Sequence, residues 1–391
     1  MKKTKEGKVL IILLTFNICL SFLFFFKDLK IKTNSILTNW QTKKIINNKI
    51  KGYLKLSQKW FTNNFNYKKG TLEYIYDPDQ DEYSSTNNHI RQLATTWSMA
   101  ELDGFLKDDS LSPLIKSSLD YYLKYLKEEN GYSYLLINKK ASLAYNAFIT
   151  LTLLNFDYPE KEKLLEKFIL GIISLQQKDG SFVTDFISRK TEGINFYPGE
   201  AMLALVKYYE YKQDESILKN LNQAFLYYRN YWRKNKNLAF IPWHSQADQL
   251  LYKYTKNLEI VDFVFEMNDW LVENYQIVEN YELGKIGGFS KNNKPRNSTG
   301  SYLESLNAAY KTAVLTKNEE YIEKYKKSLQ LGIRFILQLY VNEQKARKFQ
   351  NPDKARGGIL ESFESNKQRI DYTQHTVMAL IRAYENSIFE K

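Results

Sequence analysis

Two kinds of helix-forming segment alternate along this chain and return to their starting point, which leaves few folds open to it. Residues 161–177, KEKLLEKFILGIISLQQ, place Leu165, Ile169, Ile172 and Ile173 on one stripe with lysines opposite, the pattern of an amphipathic helix on a protein surface. Lys178-Asp179-Gly180-Ser181-Phe182 then reads as a turn, with glycine where the backbone needs a left-handed residue. After a polar stretch, residues 197–211, YPGEAMLALVKYYEY, are apolar on nearly every side and should be buried. The same order recurs. Amphipathic segments lie near 112–127, 160–177, 214–232, 258–275 and 319–340; more apolar ones lie near 89–106, 142–155, 197–211, 243–255, 299–316 and 371–387. Between them stand Gly70, Gly131, Gly180, Gly287–Gly288 and Gly357–Gly358. The sixth corner, near residue 237, has no glycine; Asn235 and Asn237 stand there, and asparagine tolerates the left-handed conformation next best.

That pattern supplies one more apolar segment than amphipathic ones, and the missing partner is at the start. Residues 45–61 carry Ile45, Ile46, Ile50, Tyr53, Leu54, Leu56, Trp60 and Phe61 among lysines. An N-terminal outer helix paired with the last inner helix would close a ring, so the fold expected over residues 43–391 is all-α, an (α/α)6 toroid of six helical hairpins. The period of about 55 residues is longer than that of ordinary helical solenoids. An open solenoid would also need polar caps, and the last inner segment is too apolar for one.

Ahead of the ring, Val9–Phe26 runs eighteen residues without a charge, long enough to cross a bilayer. Lys2, Lys3, Lys5 and Lys8 precede it, which puts the N-terminus in the cytoplasm. The stretch ends in Phe24-Phe25-Phe26 with no small-residue cleavage pattern, so a signal anchor is expected. The organisation read from sequence is therefore a cytoplasmic tip and transmembrane anchor (1–26), a tether (27–42) and the toroid domain (43–391), held outside the cytoplasm. Cys19 is the only cysteine, so the chain can form neither an internal disulfide nor a thiolate metal cluster, and no metal or cofactor is assigned. The net charge of +12 comes from dispersed lysines. It is compatible with solvated helix faces, or with an acidic partner such as a uronic-acid polymer or an anionic membrane. No nucleic-acid motif is present.

In such a ring the inner helices run parallel, and their N-termini meet at one mouth. Helix N-termini offer partial positive charge and free N–H groups, which suit oxygen-rich ligands. Helices otherwise so apolar carry an unusually polar set there: Asn88, His89, Arg91 and Gln92, followed by Trp97; Tyr145 and Asn146; Tyr197 and Glu200; Trp243, His244, Gln246 and Asp248; Tyr302, Glu304 and Asn307; Asp371, Tyr372, Gln374 and His375. All three histidines are in the set. Each residue also has a plain reading: Glu200 and Asp371 as helix caps, Arg91 as a structural ion pair, Trp97 and Trp243 as core, Asp185 as a turn residue. Together they make a candidate site. Glu200, Asp371, Glu304, His244 and His375 are the candidate catalytic groups; Arg91, Trp97, Tyr197, Trp243, Gln246, Tyr372 and Gln374 are the candidate substrate-binding groups.

Asp179–Phe182 (DGSF), Tyr197–Leu205 (YPGEAMLAL) and Arg369–Leu380 (RIDYTQHTVMAL) resemble the corner and inner-helix signatures of the alpha/alpha-toroid superfamily. That group includes six-hairpin glycosidases, unsaturated uronyl hydrolases, sugar epimerases of the N-acylglucosamine 2-epimerase type and terpenoid cyclases. The resemblance covers residues 43–388 as architecture. Resemblance to the epimerases implies two proton-exchanging histidines, here His244 and His375, with Arg91 on the first inner helix and Glu200 on the third. Pro242-Trp243-His244-Ser245 is similar to their proline-containing histidine motif, but the glutamate expected a turn later is absent and Asp248 stands nearby. The Asp-rich motif of the cyclases is missing. With the expected anchor placing the domain outside the cytoplasm, the resemblance implies a carbohydrate-active enzyme, first of all a glycoside hydrolase using Glu200 and Asp371, or Glu304 in place of either. The alternatives are a sugar epimerase, or a uronate-polysaccharide epimerase or lyase, using His244 and His375, and a non-catalytic glycan-binding or assembly protein.

Overall fold

The computed structural model describes residues 47–279 and 282–390, with Lys27. The uncharged segment Val9–Phe26 and the tether after it lie outside the described residues, apart from Lys27. Among the described residues no helix is long and apolar enough to cross a membrane.

The helices follow the alternation in the sequence. Outer helices are α1 (Asn47–Asn63), α3 (Ser112–Tyr122), α5 (Lys161–Ser174), α7 (Glu215–Lys234), α9 (Leu258–Tyr275) and α11 (Glu319–Leu339). Two short helices, α12 (Glu343–Ala346) and α13 (Pro352–Ala355), lie in the connection after α11. Inner helices are α2 (His89–Leu106), α4 (Leu143–Asn155), α6 (Tyr197–Lys212), α8 (Ile241–Thr255), α10 (Thr299–Leu315) and α14 (Ile370–Glu385). Asp214, Asn257 and Asn318 cap α7, α9 and α11 by accepting from backbone N–H groups in the first turn, which fixes where those helices begin. Burial separates the layers as the hydrophobic pattern requires. In α4 every residue from Leu143 to Leu153 is buried, whereas α7 buries only a stripe through Ile217, Leu221, Ala224, Phe225, Tyr228 and Trp232.

The inner helices pack in the order α2, α4, α6, α8, α10, α14, and α14 returns to α2. The ring is therefore closed, and α1 covers its seam by packing on α14 and α2. Tyr340, at the end of α11, packs edge-on against Tyr53 at 4.7 Å, and its hydroxyl lies 3.0 Å from Ser57 Oγ. The Trp60 indole donates to Gln368 at 2.8 Å. Glycine corners repeat one contact around the ring. Gly180, Gly287 and Gly357 all have φ near +90°, and a Cβ at each would come within 2.2 Å of a backbone carbonyl of the next outer helix: Gln223, Leu331 and Leu56 in turn. The last of these joins the end of the ring to its beginning.

One expectation needs correction, and the all-α ring carries short strands besides its helices. β1 (Phe65–Asn66) pairs with β2 (Thr71–Leu72), β5 (Leu126–Glu129) pairs with β6 (Tyr132–Leu135), and β3 (Ile75–Asp77) pairs with both β4 (Glu82–Tyr83) and β7 (Gln368–Arg369). These strands occupy the long outer-to-inner connections, where backbone polar groups need partners that no helix supplies. The corner between α7 and α8 is not the expected left-handed asparagine turn. Asn235 has φ −135°, and Asn237 is not in the left-handed region either. The connection is only residues 235–240, against 64–88, 123–142, 175–196, 276–298 and 340–369 elsewhere, so there is no hairpin to reverse.

A cleft at the helix N-termini as candidate active site

Every inner helix enters from an outer-to-inner connection, so the N-termini share one end of the barrel, and a cleft of about 600 Å³ opens there. Successive positions on one face of a helix lie three or four residues apart. In α2 the axial face runs Arg91, Ala94, Glu101; in α6, Glu200, Leu203, Lys207; in α14, Asp371, Gln374 and His375, then Arg382. First-turn members line the cleft. Residues about one to three turns further line a second cavity of about 350 Å³ at the opposite end.

Glu200 sits in the first turn of α6 and is 3% exposed. It does not cap the helix: its Oε2 has no hydrogen-bond partner among the described residues. Burial pushes its carboxyl up to about 8, so it holds its proton at neutral pH. His375 lies in the cleft wall on α14, and its Nδ1 is 2.6 Å from Glu304 Oε1. Carboxylates only accept, so in the neutral ring Nδ1 carries the proton and Nε2 is the free acceptor. Glu304 is 1% exposed, and its other oxygen accepts from Gln246 at 3.3 Å. In ring order α6 and α14 stand opposite one another, so Glu200 and His375 belong to facing walls. Trp243 lines the cleft too, its ring 5.9 Å from that of His375.

Asp371 is held from two sides. Arg369 donates to Oδ1 at 2.6 Å and Oδ2 at 2.9 Å, and the Arg91 Nε is 3.2 Å from Oδ2. Burial would lower the Arg369 pKa, but the hydrogen bond and charge of Asp371 outweigh it and raise it. Asp371 lies inside α14 rather than at its cap, so the capping reading fails for it as well.

The cleft brings together Arg91, Tyr197, Glu200, Trp243, Asp371, Gln374 and His375 from the sequence candidates. Others lie elsewhere. His244 is wholly buried, stacked on Phe240 at 3.6 Å, with neither ring nitrogen hydrogen-bonded among the described residues, and burial lowers its pKa to about 3. It is one residue from Trp243, hence about 100° around the helix, and points into the outer layer. Glu304 and Gln246 sit one turn deeper than the cleft wall and line the far cavity. Trp97 is buried beneath the cleft against Phe148 and Trp243. Tyr372 turns away and packs under Arg369, whose guanidinium is 4.5 Å from its ring centre. His89 pairs with the Tyr122 hydroxyl. Asp185 is a turn residue that accepts from the backbone N–H groups of Ala141, Ile187 and Ser188.

Sequence reasoning missed Arg369, Phe196, Lys236, Trp270 and Tyr275, all of which line the cleft. Arg369 stands in the RIDYTQH segment two residues before Asp371, close enough to have been paired with it. Trp270 and Tyr275 sit near the end of an outer helix, where periodicity marks them as core.

No protein-family model matches the sequence, and no curated protein matches it. Solved structures do. A D-mannose isomerase superposes with a TM-score of 0.63 at 12% identity, over 86% of this chain and 97% of that one. This chain has the (α/α)6 toroid fold. An α-1,6-mannanase, GH76A of Salegentibacter sp. HEL1_6, shares the toroid at a TM-score of 0.59 and 10% identity, over 86% and 99% of the two chains. Cellobiose 2-epimerase from Bacillus thermoamylovorans shares it at 0.59 and 11%, over 87% and 98%. These toroids carry hydrolase, isomerase and epimerase names, and the fold alone does not choose among them.

Proposed function

We propose that this protein is a carbohydrate-active enzyme that moves a proton at a sugar carbon beside a carbonyl, in the manner of an epimerase or isomerase. The observation that carries the reading is His375 in the cleft wall with Nδ1 fixed by the buried Glu304. That bond leaves Nε2 as a base, and the carboxylate stabilises the imidazolium formed when Nε2 takes a proton. The opposite wall holds Glu200 with its proton on at pH 7. In the reaction His375 removes the proton on the carbon next to the carbonyl, giving an enediol(ate), and Glu200 returns one to the other face. The carbon is inverted; imidazolium and carboxylate then exchange protons with water to reset. Trp243 offers an aromatic face to the ring, and Arg91 a cation to its oxygens. His244 has no place in this scheme.

Glycoside hydrolysis is the second reading, and one observation favours it: a carboxylic acid neutral at pH 7 is what protonates a leaving oxygen. Its weakness is the partner, because both oxygens of Asp371 are engaged by Arg369 and Arg91. The uncharged Val9–Phe26 segment adds the expectation that the enzyme is membrane-anchored and works on a cell-envelope or extracellular glycan.

One experiment separates the readings. The protein is incubated in D2O with mannose, cellobiose and uronate oligosaccharides, and proton NMR is recorded alongside reducing-end release. The expected result is deuterium on the carbon next to the carbonyl, reduced more than 100-fold in His375→Asn, within the range that acid–base groups contribute. New reducing ends without deuterium would replace this reading with the glycosidase one. Binding without either change would leave a glycan-binding protein.

A further inference from the structure

The short 235–240 connection has a consequence for the cleft. Every other outer-to-inner connection is long; this one, from α7 into α8, has six residues. The cleft does not stop at the inner helices there. It continues over Lys236 to Trp270 and Tyr275 near the end of the outer helix α9. These rings are half-buried and contact each other at 5.2 Å, and Trp270 also rests on Trp232 at 5.6 Å, so the platform is rigid. Lys236 is exposed, with its ammonium 5.9 Å from the Trp270 ring. Across the mouth Phe196 is 44% exposed although it lines the cleft.

We propose that this radial lane holds a chain of sugars: the substrate is an acidic oligosaccharide or polysaccharide whose reacting unit lies between Glu200 and His375 and whose further units run out over Trp270. The inference rests on the proposed function for the position of the reacting unit. Its own support is separate. A site for one sugar needs no aromatic platform in the outer layer, and a cleft of about 600 Å³ falls in the range that takes ligands larger than one ring. Flat faces at intervals along a groove suit pyranose rings, which stack by their C–H faces. The charge points to carboxylates on the chain. Arg91, Lys236 and Arg369 line the cleft against Asp371, while Glu200 is neutral. Asp371 answers the two arginines, and Lys236, at the start of the lane, is left to meet a uronate carboxylate.

The test is a binding ladder with the full-length His375→Asn protein, in which no turnover is needed. Oligogalacturonate, oligomannuronate and chondroitin oligosaccharides, from one unit to six, are titrated by calorimetry beside cello-oligosaccharides of the same lengths. The expected result is an affinity gain of at least tenfold between one and four units in an acidic ladder, lost in Trp270→Ala and reduced in Lys236→Glu. Lys236 is exposed, so its variant reports even if Trp270→Ala misfolds. Flat ladders in every acidic series, or a length dependence that neither variant alters, would overturn the lane. An equal gain on the neutral ladder would overturn the acidic class. If the ladder holds while no deuterium enters any sugar, the reaction proposed above falls and the lane stands.

Discussion

Neighbouring residues can do opposite things. Trp243 and His244 adjoin in sequence, yet one faces the cleft and the other stacks on Phe240 and meets Tyr228 of the outer layer. The sequence places both in the first turns of an inner helix; it does not say which way each points, because a helix apolar on all sides hides its axial face. Glu304, expected at the mouth from its place in the sequence, lies a turn below it, where it orients His375. Glu200 is the residue whose behaviour can be forecast most sharply. Its pKa is about 8 when folded against an ordinary 4.5. Between those values the folded protein holds a proton that the unfolded chain has lost, so this residue's share of stability falls as pH rises and levels off above 8. His244 acts in the other sense, costing stability as pH falls from 6.5 toward 3, and cancels when a Glu200 variant is compared with the parent. Glu200→Gln should therefore match the parent near pH 4.5 and gain on it by about 1.4 kcal/mol per pH unit up to pH 8, while losing turnover. Urea midpoints at pH 5, 6.5 and 8 check this. Parallel profiles would mean that Glu200 is ionised in the folded protein.

At the scale of elements the sequence is far more transparent. Helix boundaries follow the amphipathic and apolar segments to within a few residues because burial imposes both patterns. The α7–α8 corner was the exception: the absence of glycine signalled a shorter connection, not a substitute turn. Corner glycines also differ in a way that no pattern reveals. Gly131 and Gly357 both have positive φ, at +86° and +91°. A Cβ on Gly131 meets open space, whereas one on Gly357 would lie 2.0 Å from the Leu56 carbonyl oxygen. Gly131→Ala should cost about 1 kcal/mol, for backbone strain alone. Gly357→Ala should cost about 3 kcal/mol or more, because α1 must move from the seam. Denaturant midpoints of the two variants decide it, and equal costs would show that α1 contributes little to closing the ring.

For the whole molecule, the toroid has two unlike ends. One carries the cleft. The other carries a half-buried ion cluster in which Glu101 faces Arg382 and Lys207; desolvation would raise the Glu101 pKa, but the two cations lower it. A reporter active only outside the cytoplasm, fused after Lys391, should give signal if Val9–Phe26 is an anchor. N-terminal sequencing that finds a mature start near residue 27 would mean a released protein instead.

Strict alternation of direction settles something about orientation. Inner helices begin at the cleft, so outer helices end there and begin at the other face, and α1 is an outer helix. Asn47 thus enters the ring at the face opposite the cleft, and α14 finishes at that same face. A protein tied to a bilayer through residues 9–26 would thus receive its tether at the ion-cluster end, on the face opposite the cleft and the Trp270 lane.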